Sequence, residues 1–310
     1  MPDPASRQRV ARYLIAARQA EALALEQLLD LSRLVVAISN LIHALQRERG
    51  ATGIYLGSGG RRFALQRQQL IDATAEQWRS FDAQLADMEA GGALEANGRL
   101  LTRLATAIHQ LDALLPCRDQ ASRRRITPEH AHQHYTDLIR TLLAVVLEVA
   151  NIATDPDLTR ALVALFHFMQ GKELAGQERA LGGLRLSSGR TSNTDQLALL
   201  VEGQERCFDI FCRFADVQSL SLWHEHASPC DLAELHRLRH VLAQAGTDHD
   251  ADAALSERWF ALCTRRIDTM KQVEDALEEH VRKTSAHRLA AARQDLEHYR
   301  NDVLAARAPA

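Results

Sequence analysis

The chain has little that would interrupt a helix. Seven prolines and fifteen glycines in 310 residues are few, and aromatic residues make up only 5%. Alanine, leucine, arginine, glutamate and glutamine take their place, and all are good helix formers. Cysteine pairing is also missing. The five cysteines (Cys117, Cys207, Cys212, Cys230 and Cys263) are odd in number and include no C-x-x-C pair, which points to free thiols in a reducing compartment. No strong charge of one sign is present, because the formal net charge is −3. A global field that would draw the chain to nucleic acid or anionic lipid is therefore excluded, and any bound anion must be held by local charge. The N-terminal stretch MPDPASRQRVARYLIAARQ lacks the apolar core of a signal peptide. The longest apolar run, Leu142 to Val149, is too short to cross a bilayer. A cytoplasmic protein with no membrane association is expected. No nucleophile–base–acid arrangement or phosphate-binding glycine loop stands out, so an enzyme is not expected.

What is present is helical periodicity along nearly the whole chain, with no convincing strand alternation. Helices are expected over about Arg7–Leu29, Ser32–Leu56, Arg62–Glu89 and Leu94–Leu115, the second stopped by Gly57-Ser58-Gly59-Gly60. A polar connector spans Cys117 to Ile126. Thr127 and Pro128 then give a cap and first residue for a fifth helix, and Asp155-Pro156 repeats that signature for a sixth reaching Leu181. The stretch GGLRLSSGR reads as a loop. A seventh helix is expected from Asn193 or Thr194 to Trp223, and a short eighth after the Ser228–Asp231 box. A long pattern runs from Ala251 to Leu304. The expected fold is all-α: two stacked antiparallel four-helix bundles, dividing near 117–126, with a long C-terminal helix. A short internal echo, LIHALQ at Leu41 and LFHFMQ at Leu165, fits that division.

Three helices carry arginine where their apolar stripe calls for leucine. Ile38, Leu41 and Leu45 continue into Arg49 and Thr52. Leu158, Leu162, Leu165 and Met169 continue into Lys172, Gly176 and Arg179. Leu232 and Leu235 continue into Arg239 and Leu242. A guanidinium facing a core cannot lose its proton and must find a partner. Nearby carboxylates such as Glu48, Glu173 or Glu178 could serve, or the side chain could reach the edge of the stripe. A shared anion pocket is the other reading, because parallel N–H donors suit a small planar oxyanion.

At these residues the sequence resembles the nitrate- and nitrite-sensing (NIT) domain family. LIHALQRERGATGIYLGSGG contains a Q-x-E-R-G core, and ALVALFHFMQGKELAGQERALG contains K-E-x-A-G-Q-E-R-A; LLVEGQERCFDIFCRFAD and ELHRLRHVL match later helices. The resemblance implies nitrate or nitrite held between two bundles by Arg49 and Arg239, with Arg179 a ligand or a switch residue. Gly50, Lys172 and Gly176 would support the site, and Arg237 is the rival of Arg239. No cofactor and no metal are implied. The sensing unit is expected over 1–283 and a helical tail over 284–310. Many family members continue into an ANTAR RNA-binding domain, for which this tail is too short, so no direct nucleic-acid binding is expected. Output through a homodimer or a regulatory partner is expected instead. A helical adaptor without a small ligand, and an RNA-binding regulator lacking its output module, remain the alternatives. The histidines at 130, 132 and 134, and His224 and His226 with Cys230, are read as polar surface rather than metal ligands.

Overall fold

Uninterrupted apolar stripes become long helices. The computed structural model describes residues 4–92, 94, 97–188, 194–226, 229–244 and 253–305. The described residues are helical almost throughout and contain no strand. The elements are α1 (Pro4–Gly57), α2 (Ala64–Ala90), α3 (Gly98–Ser122), α4 (Pro128–Ile152), α5 (Pro156–Ser188), α6 (Thr194–Phe214), α7 (Val217–His226), α8 (Pro229–Gln244) and α9 (Ala253–Ala305).

Four boundaries differ from the sequence reading. The two expected N-terminal helices are one, α1, because the buried stripe Leu25, Leu28, Leu31, Leu34/Val35 and Ile38 runs on without a phase change. Ser32 does not cap. Its hydroxyl donates to Leu28 O one turn back and meets Ser285 Oγ at 2.9 Å. α3 runs past Leu115 and Pro116 to Ser122, burying Cys117 and Ala121, so most of the expected connector is helical. The expected loop after Leu181 is helical as far as Ser188. Gly182 allows a close approach there: a Cβ on it would stand 2.5 Å from the Trp259 ring. The expected seventh helix divides at Ala215–Asp216, where Asp216 Oδ1 accepts from the N–H groups of Gln218 and Ser219 and opens α7. The expected starts at Ser228 and Ala251 lie outside the described residues, as does Asn193, while Thr194, the other expected start of the seventh helix, begins α6.

Two caps appear where expected. Thr127 accepts from the His130 N–H at 3.2 Å with Pro128 beginning α4, and Asp155 accepts from the N–H groups of Asp157 and Leu158. α1 packs against α2 and α4, and α3 against α4, while α5 packs against α6 and α9, with α7 and α8 on α9. α3 and α4, on either side of residues 117–126, pack on each other, and α1 also packs along α9. One apolar core runs through these helices, from Phe81 and Leu104 through Ile38 and Leu142 to Phe168, Phe211 and Val273. A smaller cluster gathers around Trp259 with Leu235, Leu238 and Leu242. Leu232 is exposed instead, so the inner face of α8 is not quite the one its spacing suggested.

α9 crosses position 283 without a break. Its later turns pack Leu289 and Ala292 against Ala22 and Leu25 of α1, and Arg288 reaches Asp155. α1 does contain a stretch long and apolar enough to cross a membrane, beyond the Leu142–Val149 run; most of it is buried inside the protein, as in a core helix.

Candidate functional site

α1 and α5 approach each other through glycine. A Cβ on Gly50 would lie 3.0 Å from Nη2 of Arg179, and a Cβ on Gly176 would lie 3.0 Å from Nη2 of Arg49. Each arginine therefore reaches across the other helix's glycine, and two guanidinium groups come together in the interior. Arg49 is 3% exposed and Arg179 7%.

Their partners differ. Arg49 is gripped by Glu173, with Nη1 to Oε1 at 2.5 Å and Nη2 to Oε2 at 3.1 Å, and Nη1 also donates to Thr136 Oγ1 of α4 at 3.0 Å. Burial works against the charge of Glu173, but Arg49, together with Gln177 and Gln46, holds its carboxyl below the usual glutamate range. The carboxylate that pairs Arg49 is thus Glu173, not Glu48 or Glu178. Glu48 turns to α3 and α4, where it accepts from Arg118 and from Tyr135.

Arg179 has no carboxylate within ion-pairing distance among the described residues. Its Nη1 donates to Thr264 Oγ1 at 3.1 Å, and its guanidinium lies 4.9 Å from the centre of the Phe260 ring. Burial, and then the charge of Arg49, pull its pKa down to about 10. It stays charged at neutral pH in a place that disfavours charge.

Arg239 on α8 forms a two-pronged pair with Glu178, Nε to Oε1 at 2.7 Å and Nη2 to Oε2 at 2.8 Å. Arg266 stands 3.7 Å from the same carboxylate, and Gln204 bridges the two, donating to Glu178 and accepting from Arg266. The Cys263 thiol sits amid Glu178, Arg266, Arg179 and Arg239, and burial pushes it up to about 12. Among the described residues, Arg49, Arg179, Arg239 and Arg266 thus meet two buried carboxylates, Glu173 and Glu178, which leaves an excess of positive charge.

The remaining sequence candidates fall elsewhere. Arg237 is exposed and pairs with Glu234 one turn away, as the stripe of α8 suggests. Lys172 turns its ammonium to Glu274 at 2.6 Å in a fully buried pair. His132, from the histidine run, comes near the site: burial and then Arg49 hold its pKa at about 4. His130 bonds the cap Thr127. No metal-binding cluster occurs among the described residues.

Residues 40–282 match the protein family described as nitrate and nitrite sensing. The chain belongs to that family. A nitrate regulatory protein of Klebsiella oxytoca is 34% identical over 270 residues, which cover 86% of this chain and 66% of that protein. The chain thus spans just under two thirds of that relative. The solved structure of the NasR transcription antiterminator superposes with a TM-score of 0.81 at 32% identity, over 94% of this chain and 82% of the other. NIT-family proteins of this kind are sensors and regulators, not enzymes.

Within the NIT motifs, Q-x-E-R-G supplies Gln46, Glu48, Arg49 and Gly50, and K-E-x-A-G-Q-E-R-A supplies Glu173, Gly176, Gln177, Glu178 and Arg179. Thr136, Phe260, Cys263, Thr264 and Arg266 escaped the sequence reading. They come from helices whose spacing carries no sign of where α1 and α5 cross.

Proposed function

We propose that this chain is the sensing part of a nitrate and nitrite regulator. It binds the anion at the crossing of α1 and α5, with Arg49, Arg179 and Arg239 as its donors and Gly50 and Gly176 making room. The observation that carries this reading is Arg179: a buried guanidinium, beside a second one, with no carboxylate in ion-pairing distance among the described residues. An unpaired buried charge costs several kcal/mol, and a bound monoanion would remove that cost. Nitrate and nitrite suit a guanidinium because each offers two oxygens in one plane. No cofactor is needed for such binding. Occupancy would alter the angle or separation of α1 and α5, and both helices touch α9, whose far end lies along α1. The signal would leave the sensor through that helix pair, where Val10, Tyr13 and Leu14 stay exposed, to a second copy or a regulatory protein in the cytoplasm.

The test is thermal unfolding with sodium nitrate or nitrite against sodium chloride at equal ionic strength. At about a hundred times the dissociation constant a ligand adds about 2.7 kcal/mol, or several degrees at roughly 2–4 °C per kcal/mol. Equal shifts in all salts would reject a selective site. They would favour a helical adaptor, a reading that draws on the carboxylate pairing of Arg49 and Arg239.

A further inference from the structure

The donors that a planar anion would use on Arg49 are already in use. Glu173 sets its two oxygens against Nη1 and Nη2 of one guanidinium, the same two-pronged contact that nitrate or nitrite would make. Its remaining capacity is taken by Gln46 Nε2 at 2.9 Å from α1 and by Gln177 Nε2 at 2.8 Å one turn along α5. The carboxylate is an internal planar anion, close to nitrate in size and charge. An external anion cannot bridge Nη1 and Nη2 while Glu173 does.

We propose that Glu173 is a built-in competitor for the ligand: the anion enters by taking the paired donors of Arg49 from this carboxylate, and the exchange sets the affinity of the site. This rests on the reading of the crossing as a nitrate receptor. The surroundings allow the exchange. Gln46 and Gln177 are neutral donors that keep part of the carboxylate's hydrogen bonding when Arg49 lets go. Arg179 on α5 also interacts electrostatically with Glu173, so the freed carboxylate keeps a cation in its surroundings. Thr136 is a neutral contact that can stay on Arg49 throughout. Glu173 is part of α5 and Arg49 part of α1, so the exchange breaks an ion pair that ties the two helices together. Binding and helix movement then become one event, and Glu173 acts as the residue that couples them.

The test is calorimetric titration of sodium nitrate into the full chain at constant ionic strength, for the unaltered protein, Glu173→Gln and Glu173→Asp. Glu173→Gln removes the competing charge and should tighten binding by about tenfold or more. Glu173→Asp separates competition from general electrostatics, because it keeps the charge but is one methylene too short to reach both donors. It should also tighten binding, by a few-fold. Tighter binding in both variants supports the competitor. Tighter binding in Glu173→Gln with none in Glu173→Asp overturns it in favour of a general charge effect, and unchanged or weaker binding in both overturns it outright. If Glu173→Gln does not fold, the Glu173→Asp result decides alone. Absence of nitrate binding in all three proteins would reject the receptor itself, an outcome distinct from the others.

Discussion

Two charged clusters lie side by side on α5, beginning at the consecutive residues Lys172 and Glu173, and both are buried. In the first, Lys172 meets Glu274 with both side chains fully buried, and Lys271 joins at 3.1 Å from Glu274 and 3.0 Å from Glu278. Ser39 Oγ of α1 lies 2.8 Å from Glu274 and 2.5 Å from Glu278, with one hydroxyl proton to share between them. Two ammonium groups meet two buried carboxylates, and Asp275 holds the outer side of Lys271. The second cluster sets Arg49, Arg179, Arg239 and Arg266 against two buried carboxylates among the described residues, Glu173 and Glu178. Burial of charge is common to both; balance is not. A balanced knot fixes the positions of α1, α5 and α9, while an unbalanced one asks for a further anion. The difference also explains why lysine serves in the first and arginine in the second, where flat, forked donors are needed.

The sharpest separation comes from removing one cation from each. Arg49→Met leaves Glu173 buried without its guanidinium, at a cost of about 3–5 kcal/mol, and the nitrate-induced rise in melting temperature should vanish with it. Had Arg49 stood unpaired in the empty protein, as the anion-pocket reading of the sequence would have it, the same change would be neutral or stabilising. Lys172→Met should cost somewhat less, about 3 kcal/mol, because Lys271 still faces Glu274. The nitrate response should survive on the lower baseline. A Lys172→Met protein that ignores nitrate, or an Arg49→Met protein that still answers it, would undo the distinction between knot and receptor.

Acid should strain both clusters, through a different histidine in each. Burial, then Lys172, holds His43 at about 3, and burial, then Arg49, holds His132 at about 4. The unfolded chain takes up these protons near pH 6.5, whereas the folded one resists until about pH 4 and 3. The stability they contribute is complete above about pH 6.5 and is lost as pH falls towards 3. Each histidine contributes a few kcal/mol. A bound anion beside His132 should soften only that histidine's share. Melting curves from pH 7 to 4 should therefore fall less steeply with nitrate, and curves that stay parallel would contradict the placement of the anion near His132.

The smallest expected effect is at the glycines. Gly176→Ala adds a methyl group 3.0 Å from Nη2 of Arg49, which the end of a long side chain can avoid by a small shift. Loss of a helix-interior glycine favours folding by up to about 1 kcal/mol, so the melting temperature should change little while nitrate binding weakens several-fold. An unchanged affinity would show that the crossing need not be so close.

How much of this was legible depended on what each residue answers to. The caps at Thr127 and Asp155 and the stop at Gly57 are local, and local chemistry decided them. The continuity of α1 through Ser32, and of α5 through Gly182, was not local: Ser285 and Trp259, far along the chain, settle what those residues do. The inward arginines could be read from periodicity, and the K-E-x-A-G-Q-E-R-A motif held their carboxylates in plain sight. Which carboxylate serves which arginine could not be read, because the pairs join α1 to α5 and α5 to α8. Arg179 as the unpaired member therefore emerged only from the three-dimensional arrangement.

Arg179 is accordingly where the central claim is most exposed. Its charge has no carboxylate to leave behind, so Arg179→Met removes a burden from the empty protein. Melting curves of this variant with and without nitrate make the measurement. The account predicts a nitrate-free melting temperature equal to or above that of the unaltered protein, and a nitrate shift that is lost or much reduced. A variant that melts several degrees lower yet keeps the full nitrate shift would contradict it.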